Sequence, residues 1–437
     1  MTIKLRLTLA LLLTSLWLSS PLSLAAAEKL TRGPYLQMPT TNSMVIRWRT
    51  EKERKSYVRY GLTPATATNL VRSPGVFTEH VVQLTKLKPD TRYFYSIGYD
   101  TNKWITEVGP DFSFLTPPMP GPARPTRIWA LGDPGTANTN QMAVRDAFYK
   151  WSGRNPDLWL MLGDNAYSDG TDAQYGKAVF DLYGALHRQV ALWPTLGNHD
   201  ALSASSPTQS GVYYDVFTLP TLGQSGGLPS GTEAYYSFDY ANIHFICLDS
   251  QDTDRSPHGV MATWLRADLD STAREWIICF FHHPPYSKGG HDSDKKSDSG
   301  GRLWEMRENI LPILEAGGVD LVLCGHSHDY ERTFLLNGHY GTSTNLTSTM
   351  ILNHGDGRSD GNGVYEKPAI LTPNKGAVYV VSGSAGQTEA GKLNHPAMYL
   401  SLKKLGSLVI DIDGLTAEVK FIGDKGQGRD YFTLRKK

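Results

Sequence analysis

The feature that most constrains the fold is a set of six short apolar segments, each ending in polar residues. They are TRIWALGD, DLWLMLGDN, ALWPTLGNHD, IHFICLDS, WIICFFHHP and VDLVLCGHSH. Amphipathic stretches such as NQMAVRDAFYKW, VMATWLRADL and LWEMRENILPILEAG lie between several of them. Alternation of this kind predicts an α/β layered domain. Because ligands bind beyond the carboxyl ends of the strands in such sheets, the polar residues there are candidates for a site.

A different pattern precedes these segments, in residues 28–116. The β-branched and aromatic runs SMVIRWR, SYVRY, HVVQL, TRYFYSIG and DFSFL are separated by turn residues, which predicts a small all-β sandwich. LKPDTRYFY resembles the stretch of fibronectin-III-like domains that enters a late strand with a tyrosine at the corner. This region contains no cluster of His and Asp residues, so we expect it to serve as a structural lid or spacer.

Between the two regions, PPMPGPARP (Pro117–Pro125) places five prolines in nine residues, which predicts a stiff, extended connector. The predicted organisation is therefore a sandwich over residues 28–116, a linker over 117–125 and an α/β domain over 126–437.

Residues 1–27 have the pattern of a signal peptide. Lys4 and Arg6 precede the apolar run Leu7–Leu18, and Ala25–Ala27 offers small residues for cleavage. The run is shorter than the roughly 20 residues that a membrane span needs. We expect a secreted or periplasmic protein with no stable membrane insertion after cleavage. An uncleaved anchor is the alternative.

Charge and cysteine content exclude several classes of protein. Lys and Arg together number 43, as do Asp and Glu, so the formal net charge is zero. This balance indicates no nucleic-acid partner and no anionic membrane surface. The three cysteines, Cys247, Cys279 and Cys324, are too few and odd in number for a disulfide framework. Each lies in or at the end of an apolar run, where a free cysteine acts as a small buried hydrophobe.

Five segment ends supply candidate metal ligands. They are Asp133 in GDPG, Asp164 and Tyr167 in GDNAY, Asn198 in GNHD, His282 in FFHHPPY, and His326 and His328 in GHSH. Each motif alone is most often a turn or a helix cap. Together, however, they provide two carboxylates, one amide oxygen, three imidazoles and a phenol. Such a set suits iron, zinc or manganese better than calcium or magnesium.

The order and spacing of these motifs resemble the calcineurin-like metallophosphoesterases, and specifically the purple acid phosphatases. The general family has the pattern GDxH at its first aspartate, whereas this chain has GDPG and no imidazole there. Purple acid phosphatases also lack that histidine and use a tyrosine three residues after the second aspartate, the spacing of Asp164 and Tyr167. RGPYLQ near the N-terminus and YERT after GHSH match as well.

The resemblance implies two metal ions. The first, iron(III), would be bound by Asp133, Asp164, Tyr167 and His328. The second, iron, zinc or manganese, would be bound by Asp164 again together with Asn198, His282 and His326. It further implies an acid phosphatase-type hydrolase that cleaves monoesters of phosphorylated small molecules by attack of metal-activated hydroxide.

Three further residues receive outer roles from the same resemblance. His199 and His291 would contact phosphate or protonate the leaving group, for which an imidazole is suited because it titrates near the operating pH. Asp200 is expected to orient His199. The plant-type pattern often has paired histidines after HxPxY, whereas GGHDSD has only His291, so a loop histidine without a role is the alternative there.

Two other functions remain open. A phosphodiesterase acting on nucleotides or phospholipid head groups would use the same two-metal platform. A non-catalytic adhesion or binding protein would use the sandwich as its functional module, but the complete ligand set argues against it. A Ser/Thr protein phosphatase is disfavoured by the missing GDxH histidine and by the predicted export.

Overall fold

The computed structural model describes residues 29–437, so the predicted signal peptide, residues 1–27, lies outside the described residues. The N-terminal region is all β, as predicted. Its strands are β1 Leu30–Gln37, β2 Met44–Gly61, β3 Asn69–Leu84, β4 Arg92–Asp100, β5 Lys103–Trp104 and β6 Ser113–Leu115.

SMVIRWR and SYVRY, predicted as separate strands, form the single strand β2 of 18 residues. The intervening EKERK contains no glycine, proline or asparagine that would turn the chain. The strand continues through it with register shifts in its pairing to β3. The first half of β2 pairs with β1 and the second half with β4, while β3 pairs with both halves.

The predicted tyrosine corner is present at Tyr93. Its hydroxyl accepts a hydrogen bond of 3.0 Å from the backbone N–H of Lys88, five residues upstream. The ring is buried in a core that also contains Trp48, Tyr95 and Phe114. The sandwich therefore has its own hydrophobic core.

The second domain begins at β7 after a linker, residues 117–125, that has neither helix nor strand. Its strands are β7 Thr126–Leu131, β8 Leu158–Met161, β9 Leu192–Pro194, β10 Ala204–Ser205, β11 Ser210–Gly211, β12 Tyr236–Tyr240, β13 Ile243–Cys247, β14 Trp276–Phe280, β15 Leu321–Cys324, β16 Tyr330–Thr333, β17 Leu335–Leu336, β18 Ile351–Asn353, β19 Tyr365–Lys367, β20 Val378–Ser382, β21 Met398–Leu402, β22 Gly406–Asp413, β23 Thr416–Gly423 and β24 Gly428–Lys436. Its helices are α1 Thr139–Ser152, α2 Asp172–Tyr175, α3 Gly184–His187, α4 Val212–Val216, α5 Val260–Ser271, α6 Arg302–Glu305 and α7 Leu311–Ala316.

Two mixed seven-stranded sheets form the centre of this domain. One has the strand order β19-β24-β23-β22-β7-β8-β9 and the other β12-β13-β14-β15-β20-β16-β21. In the first sheet β7, β8 and β9 are parallel, and in the second β13, β14, β15 and β20 are parallel. A single buried hydrophobic cluster contains residues of both sheets. The predicted α/β layered domain is therefore confirmed, with the apolar segments divided between two sheets.

The helices α6 and α7 are joined by a π-helical stretch, Met306–Ile310, inside the predicted helix LWEMRENILPILEAG. Pro312 lies in the first turn of α7 and has no N–H to continue the α-helical hydrogen-bond ladder. All three cysteines are free and buried, as expected. Among residues 29–437 we find no helix with the length and apolar character to cross a membrane.

The two domains contact each other through the RGPYLQ strand β1 and its neighbour β2. The Tyr35 hydroxyl donates to the Val216 carbonyl at 2.8 Å, and Arg47 donates to the Phe217 carbonyl at 2.6 Å. Arg32 forms an ion pair with Asp172 of α2. The sandwich is thus joined to the loops around α2 and α4 by buried polar contacts.

Candidate metal centre

The structure brings all seven predicted metal ligands together at one end of the domain. Five of them lie in the turns that follow strands: Asp133 after β7, Asp164 after β8, Asn198 after β9, His282 after β14 and His326 after β15. Three of these strands belong to the first sheet and two to the second. The cluster therefore lies where the carboxyl ends of the parallel strands of both sheets meet.

Glycines before two of these residues allow the donors to approach closely. A Cβ atom on Gly163 would lie 2.4 Å from His282 Nδ1, and one on Gly325 would lie 2.4 Å from Asp133 Oδ2. Real Cβ atoms essentially never approach that closely, so a side chain at either position would push the donor away. The glycines of GDNAY and GHSH therefore bring the ends of the two sheets together.

Three of the clustered residues have left-handed backbone conformations. Their φ angles are 55° for Asp133, 51° for Asp164 and 69° for His326. Such conformations are uncommon outside glycine, although Asp, Asn and His adopt them more often than other residues. In each case the turn directs the side chain from the strand end into the cluster.

The first group of donor atoms surrounds the phenol oxygen of Tyr167. This oxygen lies 3.0 Å from Asp133 Oδ1, 3.0 Å from Asp164 Oδ2 and 3.1 Å from His328 Nε2. His328 Nε2 is also 3.5 Å from Asp133 Oδ1. Burial and the neighbouring Asp133 and Asp164 charges raise the pKa of Tyr167 well above its usual value. Two carboxylate oxygens thus compete for one hydroxyl proton. A cation bound among these oxygens would remove that competition.

The second group of donor atoms includes the other carboxylate oxygen of Asp164, Oδ1. His282 Nε2 lies 3.5 Å from Asp164 Oδ1, 3.0 Å from Asn198 Oδ1 and 3.2 Å from His326 Nδ1. Asn198 Oδ1 is also 3.0 Å from His326 Nδ1. The carboxylate of Asp164 therefore faces both groups, one oxygen to each.

The second group is chemically suited to a metal ion. Burial lowers the pKa of His282 to about 4 and that of His326 well below its usual value, so both rings are neutral. His282 Nδ1 donates to the Leu162 carbonyl at 2.9 Å, which leaves Nε2 without a proton. Lone pairs on that nitrogen and on Asn198 Oδ1 then face each other at 3.0 Å. A cation between them would convert this repulsion into ligation.

His199 lies beside the first group. Its Nδ1 donates to the Ser168 carbonyl at 2.5 Å, and its Nε2 lies 4.0 Å from Asp164 Oδ2. The ring packs edge-on against Tyr167 with centroids 4.6 Å apart. The side chain is 34% exposed, so Nε2 is accessible at the open face of the cluster.

Asp200 does not orient the His199 ring as the sequence analysis expected, because its carboxylate points into the core instead. It accepts hydrogen bonds from the backbone N–H groups of Asn165 and Gly197, the side-chain amide of Asn165 and the hydroxyl of Tyr175. Burial and the charge of Asp164 raise its pKa to about 7. Asp200 therefore ties the GDNAY loop to the GNHD loop, while Ser168 orients His199.

His291 reaches the cluster from the loop after β14. Its ring stacks on His326 at a centroid separation of 3.8 Å, and its Nδ1 lies 2.8 Å from Asp298 Oδ1. The single histidine of GGHDSD is thus adjacent to the second donor group.

Sequence reasoning missed two neighbours of His328. Glu389 Oε2 lies 3.4 Å from His328 Nδ1, and Gln387 Nε2 lies 3.4 Å from His328 Nε2. Both belong to the segment SAGQTEAG after β20, whose polar residues follow a strand end like the predicted ligands. Their position after the end of a strand could have identified Gln387 and Glu389 from the sequence.

Comparison with known families agrees with this geometry. The family model for calcineurin-like phosphoesterases matches residues 126–330. Residues 126–330, which include every candidate metal ligand, therefore match this class of protein. The model for the N-terminal domain of purple acid phosphatases matches residues 32–116. Within the class, the chain therefore has the two-domain organisation of the purple acid phosphatases.

Purple acid phosphatases of plants are similar to this chain over about two thirds of its length. Purple acid phosphatase 18 of Arabidopsis thaliana is 28% identical over 323 residues, covering 69% of this chain and 66% of its own length. Purple acid phosphatase 21 of the same plant is 30% identical over 287 residues, covering 64% of this chain and 58% of its own length. The chain thus spans somewhat less than two thirds of the length of these relatives.

A solved purple acid phosphatase from yellow lupin seeds has a similar fold. It superposes with a TM-score of 0.69 at 18% identity and covers 93% of this chain and 75% of its own. At this identity the likeness concerns the fold alone.

Proposed function

We propose that this protein is a dinuclear metal hydrolase that cleaves phosphate monoesters in the manner of purple acid phosphatases. The observation that carries the proposal is the carboxylate of Asp164, which presents one oxygen to each of two donor groups. A carboxylate in that position can bridge two metal ions, whose separation in such enzymes is about 3.5–4 Å.

The donors differ between the two groups in a way that suits two different metals. Asp133, Asp164, Tyr167 and His328 offer three oxygens and one nitrogen, a hard set that suits iron(III). Asp164, Asn198, His282 and His326 offer two oxygens and two nitrogens, which suit iron, zinc or manganese. When bound, two such ions polarise the phosphoryl group and activate a water molecule for in-line attack.

The remaining residues act on the substrate. The Ser168 carbonyl fixes the Nδ1 proton of His199 and leaves Nε2 directed at the open face, 4.0 Å from Asp164 Oδ2. Asp298 holds the His291 ring in the same way on the opposite side. We assign both imidazoles to hydrogen bonding of phosphate oxygens and to protonation of the leaving group. A monoester, with more negative charge than a diester, gains most from two cations and two imidazoles.

The proposed substrates are phosphorylated small molecules, since the formal net charge of zero gives no long-range attraction for polyanions. The proposed location is outside the cytoplasm, secreted or periplasmic. Support for that location comes from the signal-peptide pattern of residues 1–27.

Metal analysis and the visible spectrum of the purified, oxidised protein test the proposal. We expect two metals per chain, at least one of them iron, and a phenolate-to-iron(III) charge-transfer band. We also expect faster hydrolysis of 4-nitrophenyl phosphate than of bis(4-nitrophenyl) phosphate. Less than one metal per chain after gentle purification would refute the dinuclear site. A reversed ratio of the two rates would identify a phosphodiesterase instead.

A further inference from the structure

Asp298 and Ser299 lie in the loop behind the second donor group, where sequence reasoning assigned no role. Ser299 Oγ is 2.6 Å from His326 Nε2 and 2.8 Å from Asp298 Oδ1. The same Asp298 oxygen is 2.8 Å from His291 Nδ1. One carboxylate is thereby connected to both histidines, to His291 directly and to His326 through a hydroxyl.

The protons in this chain of hydrogen bonds can be assigned. An ionised carboxylate only accepts hydrogen bonds, so the single hydroxyl proton of Ser299 points to Asp298. Burial raises the pKa of Asp298, but hydrogen bonds from Asp292, His291 and Ser299 outweigh it and hold the pKa below its usual value. The carboxylate is therefore ionised. Ser299 Oγ must then accept the Nε2–H of His326. This leaves Nδ1 of His326 unprotonated and facing Asn198 and His282.

The ring of His326 also packs against two other imidazole rings. His291 stacks on one face at 3.8 Å with an interplanar angle of 20°, and His283 packs against the ring at 4.3 Å. With these contacts and the hydrogen bond to Ser299, the ring cannot turn to present Nε2 to the metal without losing several contacts.

The backbone that presents Asp298 and Ser299 has an unusual conformation. Ser299, Gly300 and Gly301 have successive φ angles of 49°, 64° and 88°. Arg302 stabilises this turn by donating to the Ser299 carbonyl at 2.7 Å and to the Gln251 carbonyl at 2.8 Å. Strained turns of this kind persist where the surrounding structure over-determines them, often next to functional sites.

We propose that Asp298 and Ser299 are positioning residues that fix the tautomer and orientation of His326 and His291 together. This proposal rests on the proposed function, because it takes His326 as a ligand of the second metal and His291 as a substrate-facing group. Asp298 acts on the second metal only through Ser299, whereas it acts on His291 without an intermediary.

Metal retention tests the first half of the proposal. Holoenzyme of wild type and Ser299→Ala is equilibrated with graded concentrations of dipicolinate, and the iron, zinc and manganese retained are measured. We expect Ser299→Ala to hold the second metal about 10–100-fold more weakly, the usual effect of removing an outer partner of a ligating histidine. Retention of the first metal is expected to be unchanged, as is the unfolding temperature.

Turnover in excess metal tests the second half. Adding metal is expected to restore the kcat of Ser299→Ala, because His291 keeps its bond to Asp298. The kcat of Asp298→Ala is expected to stay at least about 10-fold low at saturating metal, since His291 has lost its orienting partner. The double variant is expected to retain the second metal no more weakly than Ser299→Ala, because Asp298 acts on that metal only through Ser299.

Ser297→Ala is the matched control. Ser297 is exposed in the same loop, and among the described residues its hydroxyl has no assigned hydrogen bond. We expect it to match wild type in metal retention and kcat. Unchanged metal retention in Ser299→Ala, or full rescue of Asp298→Ala by metal, would overturn this assignment alone. A wild type that binds fewer than two metals would overturn the proposed function and this assignment together.

Discussion

Tyr167 shows at the scale of one residue how the site favours a cation. Its hydroxyl can donate one proton, yet two carboxylate oxygens lie 3.0 Å away. Without a metal, burial and those charges keep the phenol protonated. A bound trivalent ion would replace the proton and balance the charges of the phenolate and both carboxylates. The residue that distinguishes this chain from the GDxH pattern is therefore also the one with the clearest spectroscopic signature.

Substituting Tyr167→Phe keeps the ring and removes only the oxygen. We expect the charge-transfer band of the oxidised, iron-loaded protein to disappear, with little change in unfolding temperature. Tyr213→Phe is a suitable control, because that buried hydroxyl donates to the Pro194 carbonyl and belongs to neither donor group. A Tyr167→Phe protein with an unchanged visible spectrum would show that the phenol is not a ligand.

His326 and His328, two residues apart, are expected to serve different metals. His326 Nδ1 lies in the group with Asn198 and His282, whereas His328 Nε2 lies in the group with Tyr167. Substituting His326→Ala should release the second metal and His328→Ala the first, and each should abolish turnover. His354→Ala, at an exposed position, is the control. Elemental analysis distinguishes the two losses, and loss of the same metal from both variants would contradict the assignment.

At this scale the sequence predicted which side chains lie together better than it predicted what surrounds them. Asp133 and Asp164 were identifiable because each follows a glycine at the end of an apolar segment. The partners of Asp200 were not, because its bond to the Tyr175 hydroxyl joins residues whose side-chain directions depend on the folded loops. Asp298 and Ser299 lie in a polar loop, and polar loops are usually only solvated.

Among the secondary-structure elements, a buried histidine joins α5 to the hairpin β12–β13. His244 of β13 lies 2.8 Å from Asp239 of β12 and 2.9 Å from Asp268 of α5. Burial lowers the pKa of the imidazole, but hydrogen bonds and charges from the two carboxylates outweigh it and raise the pKa to about 9. The ring is therefore a buried cation, held between one helix and one hairpin.

This arrangement predicts how stability changes with pH. The folded state binds the His244 proton more tightly than the unfolded chain, whose histidines have a pKa near 6.5. The stability that this proton contributes is therefore complete below about pH 6.5 and is lost as the pH rises through about 9. The free energy of unfolding is expected to fall by about 3 kcal/mol over that range. In chemical denaturation, the difference in the free energy of unfolding between wild type and His244→Gln should shrink as the pH rises over this range. A constant difference would mean that the histidine is neutral when folded.

The existence of these elements was easier to predict than their arrangement. The apolar segments form strands β7, β8, β9, β13, β14 and β15. Short apolar runs between amphipathic helices are most often buried strands, which is why these elements were predictable. Nothing in a run such as LWLM or IICF specifies which of two sheets it joins. That choice depends on pairing with strands that are distant in sequence, since β22 pairs with β7 in the first sheet and β20 with β15 in the second.

On the scale of the whole molecule, α2 connects the sandwich to the metal centre. Its first residue, Asp172, pairs with Arg32 and, at 2.8 Å, with Arg49 of the sandwich. Its last residue, Tyr175, donates to Asp200 at 2.6 Å, and Asp200 ties together the loops of Asp164 and Asn198. The sandwich contains no predicted ligand, yet it supports the loops that present two of them.

Substituting Asp172→Ala should therefore destabilise the protein although it removes a partly exposed side chain. Arg32, whose side chain is 1% exposed, would keep Glu79 at 3.4 Å as its carboxylate partner among residues 29–437, together with its contact to the Phe180 ring. We expect a loss of about 2 kcal/mol in the free energy of unfolding, between the values for exposed and buried pairs. Glu51→Ala breaks the exposed pair with Lys29 and should cost less than about 0.5 kcal/mol. Equal losses in the two variants would contradict this role of α2.

The left-handed residues Asp133, Asp164 and His326 set a limit on engineering this protein. Each non-glycine residue in that conformation costs of order 1–3 kcal/mol, a cost that glycine avoids because it has no Cβ atom. A screen that rewards only thermal resistance would therefore favour substitutions at these three positions. When the screen is run without metal ions, the most heat-stable variants would be those that have lost the candidate metal ligands, so such a screen needs selection for metal content alongside temperature.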